Sequence, residues 1–322
     1  MQRELNDEHW KTYMHKWWGN DLIAKAAVIQ EKFVDSGGRQ LHLEVYDTQR
    51  EKRPTVVFVH GLVGYARLML PFTVPLFDRG YNVVAPDLAG YGKTEGLKGD
   101  FTWNDWLLNV RDAVEYARAR FGGPVVVAGA SMGGPVAFSS AIRYQNVDSI
   151  ICYCLWNLQS PEFIEGVVRF GRWSYFVLKI LRAVGALIPR VRFRNGRLIS
   201  YDNLTDSQEL NERLRHGDPM ASTLISIRGA LSLITQSKWE IPPEQLTIPT
   251  LVFQPSKDRM TPPMFARRIF DGLRCCKRWV DFDGADHMTS KPHYFRNVWG
   301  PEVDRWLKER FSDAAVPVER AG

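Results

Sequence analysis

The chain has 322 residues, of which 45% are hydrophobic and 24% charged, a composition typical of soluble globular proteins. It contains no uninterrupted run of about eighteen apolar residues, so no transmembrane helix is expected, and its N-terminal residues lack the apolar segment of a secretory signal. The net charge of +6 is exceeded by segment 169–197 alone, which has no acidic residue and these basic ones: Arg169, Arg172, Lys179, Arg182, Arg190, Arg192, Arg194 and Arg197.

Strands and helices alternate along the first half of the chain. Residues 1–30 predict an aromatic-rich, helical lead-in, and nothing in them indicates chemistry. Residues 31–34 and 40–46 flank a turn with two glycines, which predicts a β-hairpin. Apolar side chains at helical spacing predict a helix over 103–121. Continuous apolar runs, typical of strands buried on both faces, occur at 55–59, 81–85, 124–128, 149–155 and 250–253.

This alternation predicts an α/β fold, in which a mostly parallel central sheet is flanked by helices. The alternation stops between residues 156 and 245, where the sequence is helical and basic and has no convincing buried strand. We therefore predict a helical lead-in at 1–30, a core formed by 31–155 and 246–322, and a helical cap at 156–245. The cap is inserted before the penultimate core strand.

The four cysteines favour reduced thiols over a disulfide framework. Cys152 and Cys154 lie in an apolar, strand-like run, and Cys275 and Cys276 are adjacent, which is poor geometry for a bridge within either pair. Their spacing is not that of zinc ligands, so no metal site is expected. Buried, reduced thiols are typical of a cytoplasmic protein.

The most specific motif surrounds Ser131. Gly129, Ser131 and Gly133 form a G-x-S-x-G pattern directly after a valine-rich strand and before a predicted helix. A serine on such a sharp turn projects its hydroxyl above the sheet, beside the positive end of the helix. The glycines are needed because a Cβ two residues away would collide with the turn. Ser131 is therefore the candidate nucleophile.

A serine needs a base that removes its proton and an acid that orients the base. His287 lies in a loop after the apolar run at 250–253, and His293 is the alternative base. Asp258, just beyond that run, is the candidate acid, which gives the chain order Ser, Asp, His. Asp283 and Asp286 are interpreted as loop residues.

Two backbone N–H groups are expected to stabilise an oxyanion. One belongs to Met132, which follows the nucleophile, and the other to Leu62 in the loop after residue 59, with Val63 as the alternative. His60 opens this loop directly after a buried strand. We expect it to brace the loop by hydrogen bonds and not to act as a base.

Together these residues resemble the α/β-hydrolase superfamily, and most of all its monoacylglycerol lipase and lysophospholipase branch, grouped with serine-aminopeptidase-like hydrolases. The resemblance rests on His60 with Gly61, on the motifs at 87–96, 129–134, 256–258 and 284–287, and on the end of the cap at 216–219. It implies the α/β-hydrolase fold and ester or amide hydrolysis without a cofactor. The loop at 90–94 departs from the family's usual Gly-His-Gly-x-Ser and is closer to epoxide hydrolase and haloperoxidase relatives.

The cap holds a basic amphipathic helix. On a helical wheel its apolar side chains lie on one face and its basic ones on another, so the helix either packs on the core or rests on an anionic membrane. In both cases we expect Trp173 and Phe176 to line the substrate site. Nucleic acid is not expected as a partner, because no recognised binding motif accompanies the basic segment.

The expected activity is hydrolysis of carboxylic esters with apolar acyl chains, through an acyl-enzyme. The alternatives are a peptidase or amidase, a thioesterase or acyltransferase, and a ligand-binding protein with the same fold. A peptidase would need an acidic pocket for the substrate amine, which the basic segment argues against. The expected partners are a small ester or lipid substrate and, peripherally, a membrane at 169–197.

Overall fold

The apolar runs of the sequence form one eight-stranded sheet in a computed structural model, which describes residues 9–168, 170–216 and 218–311. The strand order is β1-β2-β4-β3-β5-β6-β9-β10; β1, β2 and β4 pair antiparallel, and all other neighbours pair parallel. In chain order the strands are β1 Gln30–Asp35, β2 Gln40–Tyr46, β3 Thr55–Val59, β4 Asn82–Pro86, β5 Val125–Ala130, β6 Ser149–Tyr153, β7 Arg192–Arg194, β8 Leu224–Ser226, β9 Thr250–Pro255 and β10 Lys277–Phe282.

Helices lie between the strands and cover the sheet. The α-helices are α1 His9–Tyr13, α2 Asp21–Lys25, α3 Leu70–Phe77, α4 Trp103–Phe121, α5 Gly133–Tyr144, α6 Pro161–Gly166, α7 Ser174–Leu187, α8 Gln208–His216, α9 Ile227–Thr235, α10 Pro263–Gly272, α11 Pro292–Tyr294 and α12 Gly300–Phe311. Shorter 3₁₀ or π turns occupy Met14–Trp18, Ala26–Val28, Ala66–Met69, Gly171–Trp173, Asn195–Arg197, Pro243–Gln245 and Phe295–Trp299. The predicted α/β-hydrolase fold, with its mostly parallel sheet, is confirmed.

Local sequence explains the elements nearest the nucleophile. Every residue of β3 and β5 is buried, as their valine-rich runs predict for strands covered on both faces. The helix α4 has the predicted bounds because Thr102 and Asp105 form a reciprocal capping box at its start. It ends at Gly122, whose φ of +65° favours glycine.

The segment between β6 and β9 contains α6 to α9 and lies over the carboxyl ends of the parallel strands. It also contains two short strands that the sequence did not indicate, since β7 and β8 pair antiparallel as a second, two-stranded sheet. Each is only three residues long, and β7 reads Arg-Phe-Arg, too short and too charged to be recognised by periodicity. No helix in the described ranges is long and apolar enough to span a bilayer. Residues 1–8, Arg169 and 312–322, which earlier expectations include, lie outside the described residues.

Candidate active site

The turn between β5 and α5 places Ser131 at the carboxyl end of a central strand. Its backbone has a φ of +53°, in the left-handed region that residues other than glycine rarely adopt. A Cβ on Gly129 would lie 2.0 Å from the carbonyl oxygen of Gly133, and one on Gly133 would lie 2.1 Å from that of Val59. The turn therefore requires both glycines, for the steric reason that the sequence indicated.

The loops after β9 and β10 bring an acid and a base to this serine. The Oγ of Ser131 lies 2.7 Å from Nε2 of His287, and Nδ1 of the same ring lies 2.7 Å from Oδ2 of Asp258. Both His287 and Asp258 are buried, with side chains 0% exposed. With Asp258 ionised, Nδ1–H donates to the carboxylate, which leaves Nε2 free to accept the Ser131 hydroxyl proton.

Donors from Met260 and Thr261 also hold the carboxylate of Asp258. Its Oδ1 accepts from the backbone N–H groups of Met260 at 2.9 Å and Thr261 at 2.7 Å, and its Oδ2 accepts from the Thr261 hydroxyl at 2.8 Å. Burial raises the pKa of Asp258, but the charge and hydrogen bond of His287, with the bonds from Thr261, outweigh burial and hold the pKa below its ordinary value.

Cys154 completes the surroundings of the acid and the base. Its Sγ lies 3.5 Å from Oδ2 of Asp258 and 3.8 Å from Nδ1 of His287. Burial raises the pKa of this thiol well above its ordinary value, so it stays protonated. Among the described residues these three side chains are the one group that could hold a metal ion. A metal bound there would displace the hydrogen bond between His287 and Asp258.

Met132 and Leu62 line the same cavity as Ser131, and their backbone amides are free among the described residues. Within the described chain, neither the N–H of Met132 nor that of Leu62 donates to a protein acceptor. Gly61 brings the two close, because a Cβ on it would lie 3.0 Å from Cβ of Ser131 and 3.4 Å from the amide nitrogen of Met132. The loop leaves no room for a larger residue at this point.

His60 braces this loop, as predicted. Its Nδ1 donates to the carbonyl of Gly61 at 2.8 Å, and its Nε2 accepts from the N–H of Leu88 at 2.9 Å. Burial lowers the pKa of His60, which keeps the ring neutral in this arrangement. Both ring nitrogens are thus occupied by structural bonds.

An apolar cavity extends from Ser131 beneath the cap. Ser131 and His287 line one part, together with Trp156, Ile199 and Tyr201. The adjoining part is lined almost entirely by apolar side chains of the cap and shares four residues with the first: Leu62, Met132, Phe163 and Ile199. Among the described lining residues of both parts, none is acidic.

Trp173 and Phe176 do not line this cavity, and that expectation is wrong. Trp173 in the turn before α7 is 62% exposed, and Phe176 on the opposite side of α7 is 60% exposed. Ser174, Val177, Leu178 and Leu181 face the cavity instead. The reason is that the helix packs through its small residues: Ser174 and Gly185 are the buried positions of α7, and a Cβ on Gly185 would lie 2.9 Å from side chains of α9.

The alternative candidates lie away from Ser131. His293 is exposed on α11. Asp283 accepts a hydrogen bond from Ser256 at 3.3 Å, and Asp286 lies 3.9 Å from Arg259. The residue that sequence reasoning missed is Thr261, since only its position three residues after the acid could have indicated that it caps the carboxylate.

Comparison with known proteins supports the α/β-hydrolase fold. A family model described as serine aminopeptidase, S33, matches residues 50–291. A monoacylglycerol lipase from Paleococcus ferrophilus superposes with a TM-score of 0.63 at 22% identity, over 84% of this chain and 98% of that one. A soluble variant of monoglyceride lipase from Saccharomyces cerevisiae, solved with a substrate analogue, gives a TM-score of 0.68 at 17% identity, over 88% and 95%.

Among curated sequences, a 2-hydroxy-6-oxo-6-(2'-aminophenyl)hexa-2,4-dienoic acid hydrolase from Metapseudomonas resinovorans is 22% identical over 252 residues. That match covers 75% of this chain and 79% of the relative. At these identities the structural likeness establishes the fold, while the match to the family model covers most of the chain.

Proposed function

The chain belongs to the serine aminopeptidase S33 family of α/β hydrolases, and from this we propose that it is a serine hydrolase that cleaves carboxylic esters with apolar acyl chains. The observation that carries the proposal is that the hydrogen-bonded series Ser131, His287 and Asp258 opens directly into an apolar cavity. Hydrolysis through these groups needs no cofactor or metal.

In the proposed reaction, Oγ of Ser131 attacks the ester carbonyl carbon while Nε2 of His287 takes its proton. Asp258 stabilises the imidazolium and stays ionised. The N–H groups of Met132 and Leu62, which donate to no protein acceptor in the described chain, donate to the oxyanion, with Val63 as the alternative to Leu62. His287 then protonates the departing alcohol, an acyl-enzyme remains on Ser131, and water activated by His287 releases the acid.

An ester is favoured over an aminopeptidase substrate, despite the family's name. A substrate amine would need a carboxylate near Ser131, and the described lining of the cavity offers none. An acyl chain, in contrast, gains about 0.8 kcal/mol for each methylene buried against apolar side chains. The cavity beyond Leu62 and Met132 therefore supports an acyl-binding role.

The proposal is tested with a fluorophosphonate probe and a series of p-nitrophenyl esters from acetate to palmitate, beside aminoacyl anilides. The probe should label Ser131, and Ser131→Ala should lose several orders of magnitude in turnover, because it lacks the nucleophile. Faster cleavage of the anilides than of every ester would overturn the ester assignment. Labelling at another residue would overturn the site.

We further propose that α7 contacts an anionic membrane, peripherally, at the surface of a cytoplasmic protein. The outer side of α7 exposes a run of large apolar side chains, and the guanidinium of Arg172 stacks on Trp173 with 5.6 Å between its central carbon and the ring centroid. Exposed apolar patches flanked by cations are typical of surfaces that lie on anionic bilayers. Free cysteines, two of them buried, support a reducing compartment.

A further inference from the structure

A second cavity opens on the cap, separate from the acyl cavity. Its volume is about 270 Å³, near the lower end of the range of about 300–1,000 Å³ typical of small-molecule sites. Arg194, Arg197, Arg215 and His216 line it, and Asp202 is its one carboxylate among the described lining residues. The cavity is therefore strongly cationic.

Two of these charges are uncompensated. Arg215 forms an ion pair with Asp202 at 2.5 Å, which uses the carboxylate of the cavity. In the described ranges no carboxylate lies within ion-pair distance of Arg194 or Arg197. A guanidinium presents its N–H donors as a planar fork that matches a phosphate or carboxylate.

The wall of the cavity also holds an unused donor. Asn195 is 2% exposed, and its side-chain oxygen accepts a hydrogen bond from the buried hydroxyl of Tyr201 at 2.5 Å. Its Nδ2 is buried and has no hydrogen-bond partner in the described structure. An unpaired buried amide destabilises a fold unless a ligand supplies an acceptor.

We propose that this cavity is an anion subsite, which binds the phosphate group of an ester substrate whose alcohol portion is phosphorylated. The proposal rests on the proposed ester hydrolysis at Ser131. Ile199 and Tyr201 line both this cavity and the one at Ser131, so a single layer of side chains separates them. Asn195 and Ile199 also border the acyl cavity. An ester with its acyl chain beneath the cap reaches the arginines with its charged end when Ile199 turns aside.

The test compares two short-chain, soluble esters with the same acyl group, hexanoyl glycerol and hexanoyl glycerol 3-phosphate. Wild type should have the higher kcat/KM for the phosphorylated ester. In Arg194→Gln/Arg197→Gln the ratio of the two kcat/KM values should fall about ten-fold or more, since charge-assisted hydrogen bonds to the phosphate are lost. The control Lys238→Gln/Arg274→Gln removes two exposed positive charges that line neither cavity, and should keep the wild-type ratio.

Each other outcome overturns the subsite. If the ratio of the two kcat/KM values is the same in wild type and in the arginine variant, the subsite is contradicted. It is also contradicted if the ratio falls as much in the control variant as in the arginine variant, because the preference would then reflect the overall electrostatic field of the protein. Competitive inhibition by inorganic phosphate without any preference between the esters indicates an ion site that the substrate does not use. If neither ester is cleaved and the fluorophosphonate fails to label Ser131, the proposed function fails. Calorimetry with hexanoyl glycerol 3-phosphate and the same variants then tests the cavity by itself.

Discussion

Ser131 has a left-handed backbone, a conformation that costs a non-glycine residue about 1–3 kcal/mol and persists only where the surrounding structure enforces it. Two backbone hydrogen bonds hold this conformation in place. Its own N–H donates to the carbonyl of Tyr153 at 2.9 Å, and the N–H of Gly134 donates back to its carbonyl at 2.8 Å. The hydroxyl is thus aimed by the backbone, before any side chain contributes.

Thr261 positions the carboxylate of Asp258 through a hydrogen bond from its hydroxyl. Replacing it by valine keeps the volume but removes the hydroxyl that donates to Asp258 at 2.8 Å. A hydrogen bond to a charged group contributes about 1.5–3 kcal/mol, so Thr261→Val should lower the free energy of unfolding by about that amount at pH 7. Its kcat should fall as well, because Asp258 is less firmly held, while Thr261→Ser should restore both quantities.

The pH dependence distinguishes this role from simple packing. The pKa of Asp258 is depressed in the folded protein, so its stabilising contribution is present above its unfolded pKa of about 3.9 and is lost as pH falls through the folded value. Thr261→Val should reduce that depression. The stability difference between wild type and Thr261→Val, from urea unfolding, should therefore shrink below about pH 4. A difference that stays constant from pH 7 to pH 3 contradicts the role.

At the scale of single elements, α7 presents two apolar surfaces. The inner one includes Val177, Leu178 and Leu181 and faces the cavity. The outer one includes Trp173 and Phe176 and stays exposed. Helical periodicity alone cannot decide which surface is packed when both are apolar. The small residues Ser174 and Gly185, three turns apart, mark the packed side.

Gly185 sets how closely α7 approaches α9. A side chain there would meet Cγ2 of Ile227 and Cδ1 of Leu231 at 2.9 Å each. Gly185→Val should therefore displace α7, lower the free energy of unfolding by about 1–3 kcal/mol, and reduce kcat/KM more for a long acyl chain than for acetate. Ala183→Val, at an exposed position of the same helix, is the matched control. An equal loss for both chain lengths would show that α7 does not shape the acyl cavity.

The outer surface of α7 should bind anionic vesicles. Each basic residue near such a surface contributes about 1 kcal/mol, so Arg172→Gln/Lys179→Gln/Arg182→Gln should abolish co-sedimentation with phosphatidylserine vesicles, and salt should weaken binding of the wild type. Trp173→Ser/Phe176→Ser should weaken it independently of salt.

The control triple, Lys32→Gln/Lys238→Gln/Arg274→Gln, removes three exposed charges elsewhere and should bind as the wild type does. Equal binding of wild type to zwitterionic and anionic vesicles, or an equal loss in the control, would contradict a specific surface on α7.

Sequence patterns predicted elements best where a strong local signal agrees with burial. The helix α4 combines a regular apolar period with a capping box, and its bounds were predicted without error. The strand β10 was not identified, because it lies at the sheet edge and reads Lys-Arg-Trp-Val-Asp-Phe, half-exposed and without an apolar run. Likewise, the motif around Ser131 is local and readable. The approach of the Thr261 hydroxyl to Nδ1 of His287, at 3.1 Å, depends instead on two loops that only the folded sheet brings together.

At the scale of the whole molecule, a buried polar network links strand β2, in the antiparallel part of the sheet, to the loops that follow the parallel strands β3 and β4. His42 on β2 lies 2.7 Å from Asp87, whose Oδ1 also accepts from the N–H of Ala66 at 2.7 Å. Glu44, two residues along β2, pairs with Arg67 at 2.6 Å. The loop behind Asp87 fits only glycine at position 92, where a Cβ would lie 1.9 Å from the Asp87 carboxyl carbon.

The groups of this network titrate in different directions. Burial raises the pKa of Glu44 to about 7, against the lowering effect of Arg67. Burial lowers the pKa of His42, but the hydrogen bond and charge of Asp87, with Glu44 and Glu31, raise it overall. Burial raises the pKa of Asp87, but the hydrogen bond and charge of His42, with the hydrogen bond from the backbone of Ala66, bring the pKa far below the ordinary range. Asp87 therefore stays ionised wherever the protein is folded.

These directions predict that the contribution of Glu44 and His42 to stability falls as pH rises from about 5 to 8. A raised folded pKa gives stability that is fully present below the unfolded pKa and is lost as pH rises through the folded one. For Glu44 that interval runs from about 4.3 to about 7, and at about 1.4 kcal/mol per pKa unit the loss is about 4 kcal/mol. His42 extends the decline beyond its unfolded pKa of about 6.5, whereas the contribution of Asp87 is constant throughout this range.

Urea unfolding measures this effect. The free energy of unfolding of Glu44→Gln should change less between about pH 5 and 7 than that of the wild type, whatever the absolute stability of the variant without the carboxylate partner of Arg67. Glu165→Gln, at an exposed position, should keep the wild-type slope. Parallel profiles for wild type and Glu44→Gln would mean that the carboxyl of Glu44 is already ionised at pH 5, and that its pairing with Arg67 outweighs its burial.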